Sequence, residues 1–172
     1  LEFRRVLFRS SIRLIEETDA DLILLPELGL SGYTCGDLFA SDALLTASLD
    51  ALAQMVDHSQ QHDAMVVVGL PLGVDASLMN VAAVVARGRL WGIVPKTFLP
   101  TYREFYEGRH FRAASERDPD TIQIRGSAVP FGNDLLFQFG EALIGIEICE
   151  DLWMPIQPSS HAALAEIGRA HV

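Results

Sequence analysis

Three residues of this chain, Glu27, Lys96 and Cys149, together offer a base, a cation and a nucleophile. A thiolate attacks carbonyl carbons, an ammonium group stabilises the oxyanion that forms, and a carboxylate moves protons to and from the reacting atoms. A free cysteine has a pKa of about 8.5, so Cys149 needs a base or a cation beside it to react at neutral pH. These residue types predict thiol-dependent hydrolysis of an amide.

Each of the three residues also has an ordinary structural interpretation when it is taken alone. Cys149 follows an apolar run, as buried structural cysteines often do. Lys96 and Glu27 each follow a proline, where solvated loop side chains are common. The catalytic interpretation is favoured because all three occur in distinctive segments, which cover residues 25–39, 95–107 and 145–153.

The sequence motifs in these segments resemble those of the nitrilase superfamily of carbon-nitrogen hydrolases. Ser-Gly-Tyr-Thr-Cys-Gly-Asp-Leu-Phe (31–39), Tyr-Arg-Glu-Phe-Tyr-Glu (102–107) and Cys-Glu-Asp-Leu-Trp (149–153) are similar to the glutaminase domain of glutamine-dependent NAD+ synthetases. The resemblance implies an α/β fold, a nitrilase-like αββα sandwich, which we expect to be truncated at both ends.

The same resemblance implies an activity. L-Glutamine would be hydrolysed through a thioester on Cys149, and a separate synthetase domain would use the ammonia to amidate deamido-NAD+. The glutaminase part would need no cofactor, whereas ATP and Mg would be used by the synthetase domain, which we expect to be absent from this chain. The resemblance also implies a homo-oligomer for the complete protein and a cytoplasmic location. Two alternatives stay open: a stand-alone amidase acting on another amide, and a catalytically incompetent fragment.

Three supporting residues are assigned from the resemblance. Glu104 corresponds to a second glutamate near the lysine and the attacked carbon. Tyr102 matches a tyrosine that contacts glutamine, and Glu150 a residue near the amino group of the substrate. The ordinary alternatives are a half-buried aromatic for Tyr102 and a solvated loop acid for Glu150.

Composition limits the classes of partner and site. The net charge of -10 argues against nucleic acid and anionic membranes, and two cysteines in 172 residues are too few for a disulfide framework. His58 and His62 have the spacing of metal ligands but lack a convincing third ligand, so we expect no metal site. Cys35 has no predicted base beside it and is interpreted as structural.

The pattern of apolar residues predicts alternating helices and strands. Residues 1–10 have no clear period, and we expect 1–10 and 166–172 to be non-native flanks of a hydrolase segment covering 11–165. Glu27, Lys96 and Cys149 each follow a predicted strand, so we expect them to meet in one crevice. The predicted elements are a short helix over 11–18, a buried strand at 20–26, an amphipathic helix over 39–61, strands at 64–71, 78–86, 90–94, 135–139 and 142–148, a long loop over 98–120, and a helix near Pro158 with a serine N-cap.

Overall fold

A four-stranded sheet lies at the centre of the computed structural model, which describes residues 2–165 and the side chains of residues 8–165. The strands are adjacent in chain order, with β1 parallel to β2 and the other pairs antiparallel. The three consecutive strands predicted between residues 64 and 94 are confirmed. The strands are β1 (Leu22–Leu24), β2 (Met65–Val74), β3 (Ser77–Ala86) and β4 (Arg89–Pro95).

Both faces of β2 and β3 are buried, because successive side chains of a strand point to opposite faces of the sheet. One face packs against helices α1 (Glu2–Glu17) and α2 (Asp42–His58). Fully burying an aliphatic side chain contributes about 1.5–3 kcal/mol, so these two faces supply most of the driving force for folding. The face toward the helices includes Val66, Val68, Leu70, Val81, Ala83 and Val85, and the opposite face includes Met65, Val67, Ala82, Val84 and Ala86.

The amphipathic helix predicted over 39–61 is confirmed in its central part. Its buried residues Leu44, Ser48, Leu52 and Met55 recur every three or four positions and therefore form one stripe along α2. The ends of the predicted range are short 3-10 turns, Gly36–Ala40 before the helix and Ser59–Gln61 after it.

Two hairpins form separate two-stranded sheets beside the central sheet. The first, β5 (Thr121–Ile124) with β6 (Ser127–Pro130), lies outside every strand predicted from the sequence. The second, β7 (Leu136–Phe139) with β8 (Ala142–Gly145), packs Phe137 and its neighbours on the second face of the sheet. The fold is therefore mixed α/β, with helices and a hairpin covering opposite faces of a sheet.

The long loop predicted over residues 98–120 contains one helical turn, α3 (Glu107–His110).

A last described helix, α4, covers Pro158–Leu164. Its N-cap is Gln157 and Pro158 is its first helical residue, so the predicted serine N-cap is wrong. Proline is favoured at this first position because its missing N–H has no helical partner there.

Three further predictions are corrected. Helix α1 begins at Glu2 and is therefore longer than the helix predicted over 11–18. The interpretation of 1–10 as a non-native flank stays a prediction. Strand β1 lies at the sheet edge and is buried on one face only: Ile23 is in the core, whereas Leu24 is 74% exposed. Strand β8 ends at Gly145, so residues 146–148 lead out of the hairpin toward Cys149. The predicted flank at 166–172 lies outside the described residues.

Within residues 2–165, no helix combines the length and the apolar character that a bilayer-spanning helix requires.

Gly69 lies where the loop after β1 crosses β2, and the fold requires a glycine at this position. A Cβ atom at this position would lie 2.3 Å from the backbone nitrogen of Leu28 and 2.9 Å from the Cα of Glu27. Backbone atoms cannot move aside as a flexible side chain can. The close approach therefore places Glu27 directly over the central sheet.

We expect Gly69→Ala to lower the free energy of unfolding by about 1–3 kcal/mol, because the added methyl group overpacks the loop that carries Glu27. Gly73→Ala is the matched control, since a Cβ at Gly73 in the same strand meets nothing within 4 Å. Urea unfolding of both variants measures the effect. Equal stability of the two variants would contradict the close approach.

Candidate active site

Lys96 is the most buried charged residue of the site, with no exposed side-chain surface. It is the first residue after β4, and its backbone N–H donates to the Asn80 carbonyl of β3 at 2.9 Å. This bond continues the antiparallel pairing of β3 and β4 for one more residue. The side chain is therefore anchored by the sheet.

Two carboxylates surround the ammonium group of Lys96. Its Nζ donates to Oε1 of Glu27 at 2.5 Å and to Oε1 of Glu107 at 2.8 Å. Burial lowers the pKa of Lys96, but hydrogen bonds to Glu107 and Glu27 outweigh this and raise the pKa above its ordinary value. Lys96 therefore stays charged at neutral pH, and an ammonium group has a third N–H left for a substrate.

Glu27 lies in the loop after β1, as the sequence predicted. The next residue, Leu28, is fully buried and has a φ of 52°, in the left-handed region that non-glycine residues rarely adopt. Backbone hydrogen bonds fix this turn: Leu30 donates to Gly69 of β2 at 3.0 Å. The backbone next to Glu27 is thus tied to β2.

Asn80 of β3 donates hydrogen bonds to the carboxylates of both Glu27 and Glu107. Its Nδ2 donates to Oε1 of Glu27 at 2.8 Å and to Oε2 of Glu107 at 3.4 Å. The side chain is fully buried, and its Oδ1 has no hydrogen-bond partner. The amide is oriented by the carboxylates, because the reverse orientation would set its oxygen against both of them.

Tyr33 closes the cluster on the side of Glu107. Its hydroxyl donates to Oε1 of Glu107 at 2.7 Å. Burial raises the pKa of Tyr33 far above its ordinary value, and the Glu107 carboxylate raises it further. Tyr33 therefore remains a protonated donor at physiological pH, and Glu107 is fixed by three donors.

Cys149 lies on the exposed side of this cluster, at the start of a 3-10 turn covering Cys149–Trp153. Its φ of 50° is again in the left-handed region, which gives a sharp turn after Ile148. Burial raises the pKa of the Cys149 thiol, the Glu27 charge raises it further, and Lys96 lowers it. The resting group is therefore a thiol beside a carboxylate, and attack requires transfer of its proton.

Tyr102 and Glu150 form a second pair next to Cys149. The Tyr102 hydroxyl donates to both carboxylate oxygens of Glu150, at 3.1 and 3.2 Å. The Tyr102 side chain is 50% exposed. Hydrogen bonding to Glu150 raises the pKa of Tyr102, as does the charge of that carboxylate. The structure brings these two predicted substrate-binding residues together at the open side of the site.

The glutamate beside Lys96 is Glu107, whereas the sequence assigned this place to Glu104. Glu104 is exposed and lines a surface cavity of about 210 Å³. Glu107 lies three residues later, at the start of α3, where its backbone N–H donates to Pro100 and turns the chain back toward the sheet. That turn buries Glu107 to 4% exposure and was not predicted.

Asn80 and Tyr33 were also missed as site residues. The sequence carries a signal for Asn80, which is a polar residue inside the apolar run of β3. Polar residues are rarely buried without a partner, so its position pointed to a buried polar cluster. Nothing in the sequence alone indicated which carboxylate Tyr33 would contact.

The remaining candidate residues lie away from the cluster. Cys35 donates to the backbone oxygen of Ser31 at 3.1 Å. His58 pairs with Glu16 of α1 at 3.2 Å. Over residues 2–165, no group of three or more His, Cys, Asp or Glu side chains is arranged to hold a metal ion.

A buried lysine shared by two glutamates, with a cysteine beside it, on this α/β fold defines a class of hydrolase. The model of the carbon-nitrogen hydrolase family matches residues 7–165, and the chain belongs to this family. The crystal structure of a carbon-nitrogen hydrolase from Helicobacter pylori covers 95% of the chain with a TM-score of 0.71. At 17% identity, this likeness concerns the fold alone.

Within the family, the chain is similar to a particular kind of enzyme. It is 44% identical over 156 residues to the glutamine-dependent NAD(+) synthetase of Mycobacterium tuberculosis, an alignment that covers 89% of this chain and 23% of that protein. The structure of the glutamine-dependent NAD(+) synthetase from Cytophaga hutchinsonii has a TM-score of 0.77 at 30% identity, covering 84% of this chain and 25% of that one. The chain thus spans about a quarter of the length of these relatives.

We expect Glu107→Gln to lower the free energy of unfolding by about 3–5 kcal/mol, because it removes one partner of a buried ion pair. Glu104→Gln is the matched control and should change stability by no more than about 0.5 kcal/mol, as exposed substitutions do. Chemical unfolding of both variants checks the prediction. A larger effect at Glu104 would return the second glutamate to the position that the sequence predicted.

Proposed function

We propose that this chain is the glutaminase part of a glutamine-dependent NAD+ synthetase and hydrolyses L-glutamine through a thioester on Cys149. The observation that carries the proposal is the Lys96 ammonium between Glu27 and Glu107, with Cys149 beside Glu27. The names of the relatives support glutamine as the substrate, at 44% identity over most of this chain.

The first half of the reaction forms the thioester. Glu27 accepts the Cys149 proton while the sulfur bonds to the side-chain amide carbon of glutamine. The carbonyl oxygen takes the negative charge, and the third N–H of Lys96 donates to it. Glu27 then passes the proton to the amide nitrogen, the carbon-nitrogen bond breaks, and ammonia leaves.

The second half regenerates the thiol. Glu27, again ionised, accepts a proton from a water molecule that attacks the thioester carbon. Lys96 again stabilises the oxyanion, and the carbon-sulfur bond breaks as Cys149 recovers the proton from Glu27. Glutamate is the product. One carboxylate serves both halves because it returns to its ionised state when ammonia leaves.

Glu107 would act beside this cycle rather than within it. Its hydrogen bonds with Lys96 and Tyr33 hold the ammonium group in place to donate to the carbonyl oxygen. The sequence predicted such a supporting role for Glu104. Because Glu107, three residues later, lies next to Lys96, Glu107 would take this role instead. The arrangement is preorganised, so little reorganisation is needed in the transition state.

The pair Tyr102 and Glu150 would select an amino acid over a simple amide. The Glu150 carboxylate at the open side of the site suits the ammonium group of L-glutamine, and the Tyr102 hydroxyl fixes that carboxylate. The Tyr102 ring offers a wall for the aliphatic part of the substrate.

The ammonia would serve a synthetase part that amidates deamido-NAD+ with ATP and Mg as co-reactants. These would bind to that part of the longer polypeptide, because this chain has no glycine-rich phosphate-binding sequence. We place the complete enzyme in the cytoplasm as a homo-oligomer, with L-glutamine as the small-molecule partner of this part.

We expect the diazoketone analogue of L-glutamine to label Cys149 and not Cys35, as measured by peptide mass spectrometry. L-Glutamine should suppress the labelling, and propionamide should not. Glu27→Gln should slow the labelling about 10²–10⁴-fold, the usual contribution of a general acid or base. Cys35→Ser is the matched control and should label like the native chain.

Two outcomes would contradict the proposal. Equal suppression by propionamide and L-glutamine would favour a stand-alone amidase that accepts simple amides. An absence of selective labelling at Cys149 would favour the incompetent fragment.

A further inference from the structure

Asp151 is a buried carboxylate between the turn that carries Cys149 and the segment that follows Lys96. Its side chain is 2% exposed. Oδ2 accepts the backbone N–H of Ile148 at 3.1 Å, and Oδ1 accepts that of Phe98 at 2.8 Å. Oδ1 also accepts the backbone N–H of Thr97 at 3.1 Å. One side chain thus joins two segments that lie far apart in the sequence.

On one side, Asp151 stabilises a strained turn. Cys149 has a φ of 50°, a conformation that persists in a non-glycine residue only where surrounding contacts hold it. Asp151 closes this turn twice: its backbone N–H donates to the Ile148 carbonyl at 3.2 Å, and its carboxylate accepts from the Ile148 N–H. Cys149 lies inside the ring that these two bonds close.

On the other side, Asp151 is bonded to the residues directly after Lys96. The backbone of Lys96 is fixed to β3 through Asn80. Because Thr97 and Phe98 continue from this anchored residue, their N–H groups have a set position relative to Lys96. The carboxylate therefore ties the turn bearing the thiol to the segment bearing the ammonium group.

We propose that Asp151 is a positioning residue that sets the direction of the Cys149 thiol relative to Lys96 and Glu27. This inference rests on the proposed function, in which Cys149 is the nucleophile. Asp151 does not touch the reacting atoms, and its carboxylate accepts hydrogen bonds from backbone N–H groups.

The chemistry of the site requires a carboxylate at this position. Three backbone N–H groups converge on two oxygen atoms, and only an ionised carboxylate offers acceptors on both atoms without a donor. An asparagine would set its NH₂ group against at least one N–H. Burial raises the pKa of Asp151 above its ordinary value, and the hydrogen bonds from these backbone donors offset only part of that rise.

The first test is Asp151→Asn. Labelling of Cys149 by the diazoketone analogue of L-glutamine should slow on the order of 100-fold, as expected for a small misplacement of a reacting group. Glu147→Gln is the matched control, because it also replaces a carboxylate by an amide, two residues before Cys149. The Glu147 carboxylate accepts the backbone N–H of Ser159, whereas the Asp151 carboxylate accepts those of Thr97 and Phe98. Its labelling rate should equal that of the native chain. Equal rates for the Asp151 variant and the native chain would overturn the proposal.

A second readout separates positioning from a general structural role. Iodoacetamide alkylation of Cys149 as a function of pH reports its surroundings, which include Glu27, Lys96 and Glu107. In the Asp151→Asn variant, the midpoint should fall toward the value of about 8.5 for a free cysteine. An unchanged midpoint in a folded variant would contradict the proposal, even if the native chain failed to react with the diazoketone and the proposed function were wrong.

The half-buried Cys35 reports folding in the same experiment, because unfolding would expose it to iodoacetamide. If Asp151→Asn does not fold, Asp151→Glu replaces it. This variant keeps both acceptors and lengthens the side chain, so it should fold but shift the turn and slow diazoketone labelling. Native labelling by a folded Asp151→Glu variant would overturn the proposal.

Discussion

The site depends on one constraint: the Lys96 ammonium group has no exposed surface and must be satisfied by the protein. Glu27 and Glu107 satisfy it at 2.5 and 2.8 Å, and Asn80 and Tyr33 then satisfy the carboxylates. A buried charge without partners is very costly, so each member of this cluster requires the others. Cys149 borders this cluster, where burial raises the pKa of its thiol, the Glu27 charge raises it further and Lys96 lowers it, so the thiol is protonated at rest.

The sheet and its loops meet this constraint with little freedom. Lys96 is placed by the pairing of β3 and β4, and Glu27 by a loop that can cross β2 only because Gly69 lacks a side chain. Cys149 is held by a strained turn outside the sheet. The cation and the base are thus built into the sheet, whereas the nucleophile lies on a turn that needs its own support.

The sequence predicted the strands that carry the site better than the side chains that complete it. Apolar runs predicted β2, β3 and β4, because both of their faces are covered, and the three motifs predicted that Glu27, Lys96 and Cys149 lie close together. Spacing in a loop does not determine which glutamate turns inward. The backbone bond from Glu107 to Pro100 brings Glu107, rather than Glu104, to Lys96. Leu22 and Leu24 are exposed because nothing in the described residues covers their face of β1, which a local pattern does not encode.

A double-mutant cycle between Lys96→Met and Glu27→Gln tests most directly whether the buried ammonium group organises the site. Unfolding free energies of the native chain, both single variants and the double variant would be compared. The account predicts a coupling energy of about 0.5–3 kcal/mol, with the double variant less destabilised than the sum of the single ones. Additivity within about 0.3–0.5 kcal/mol would show that the two side chains act independently and would contradict the account.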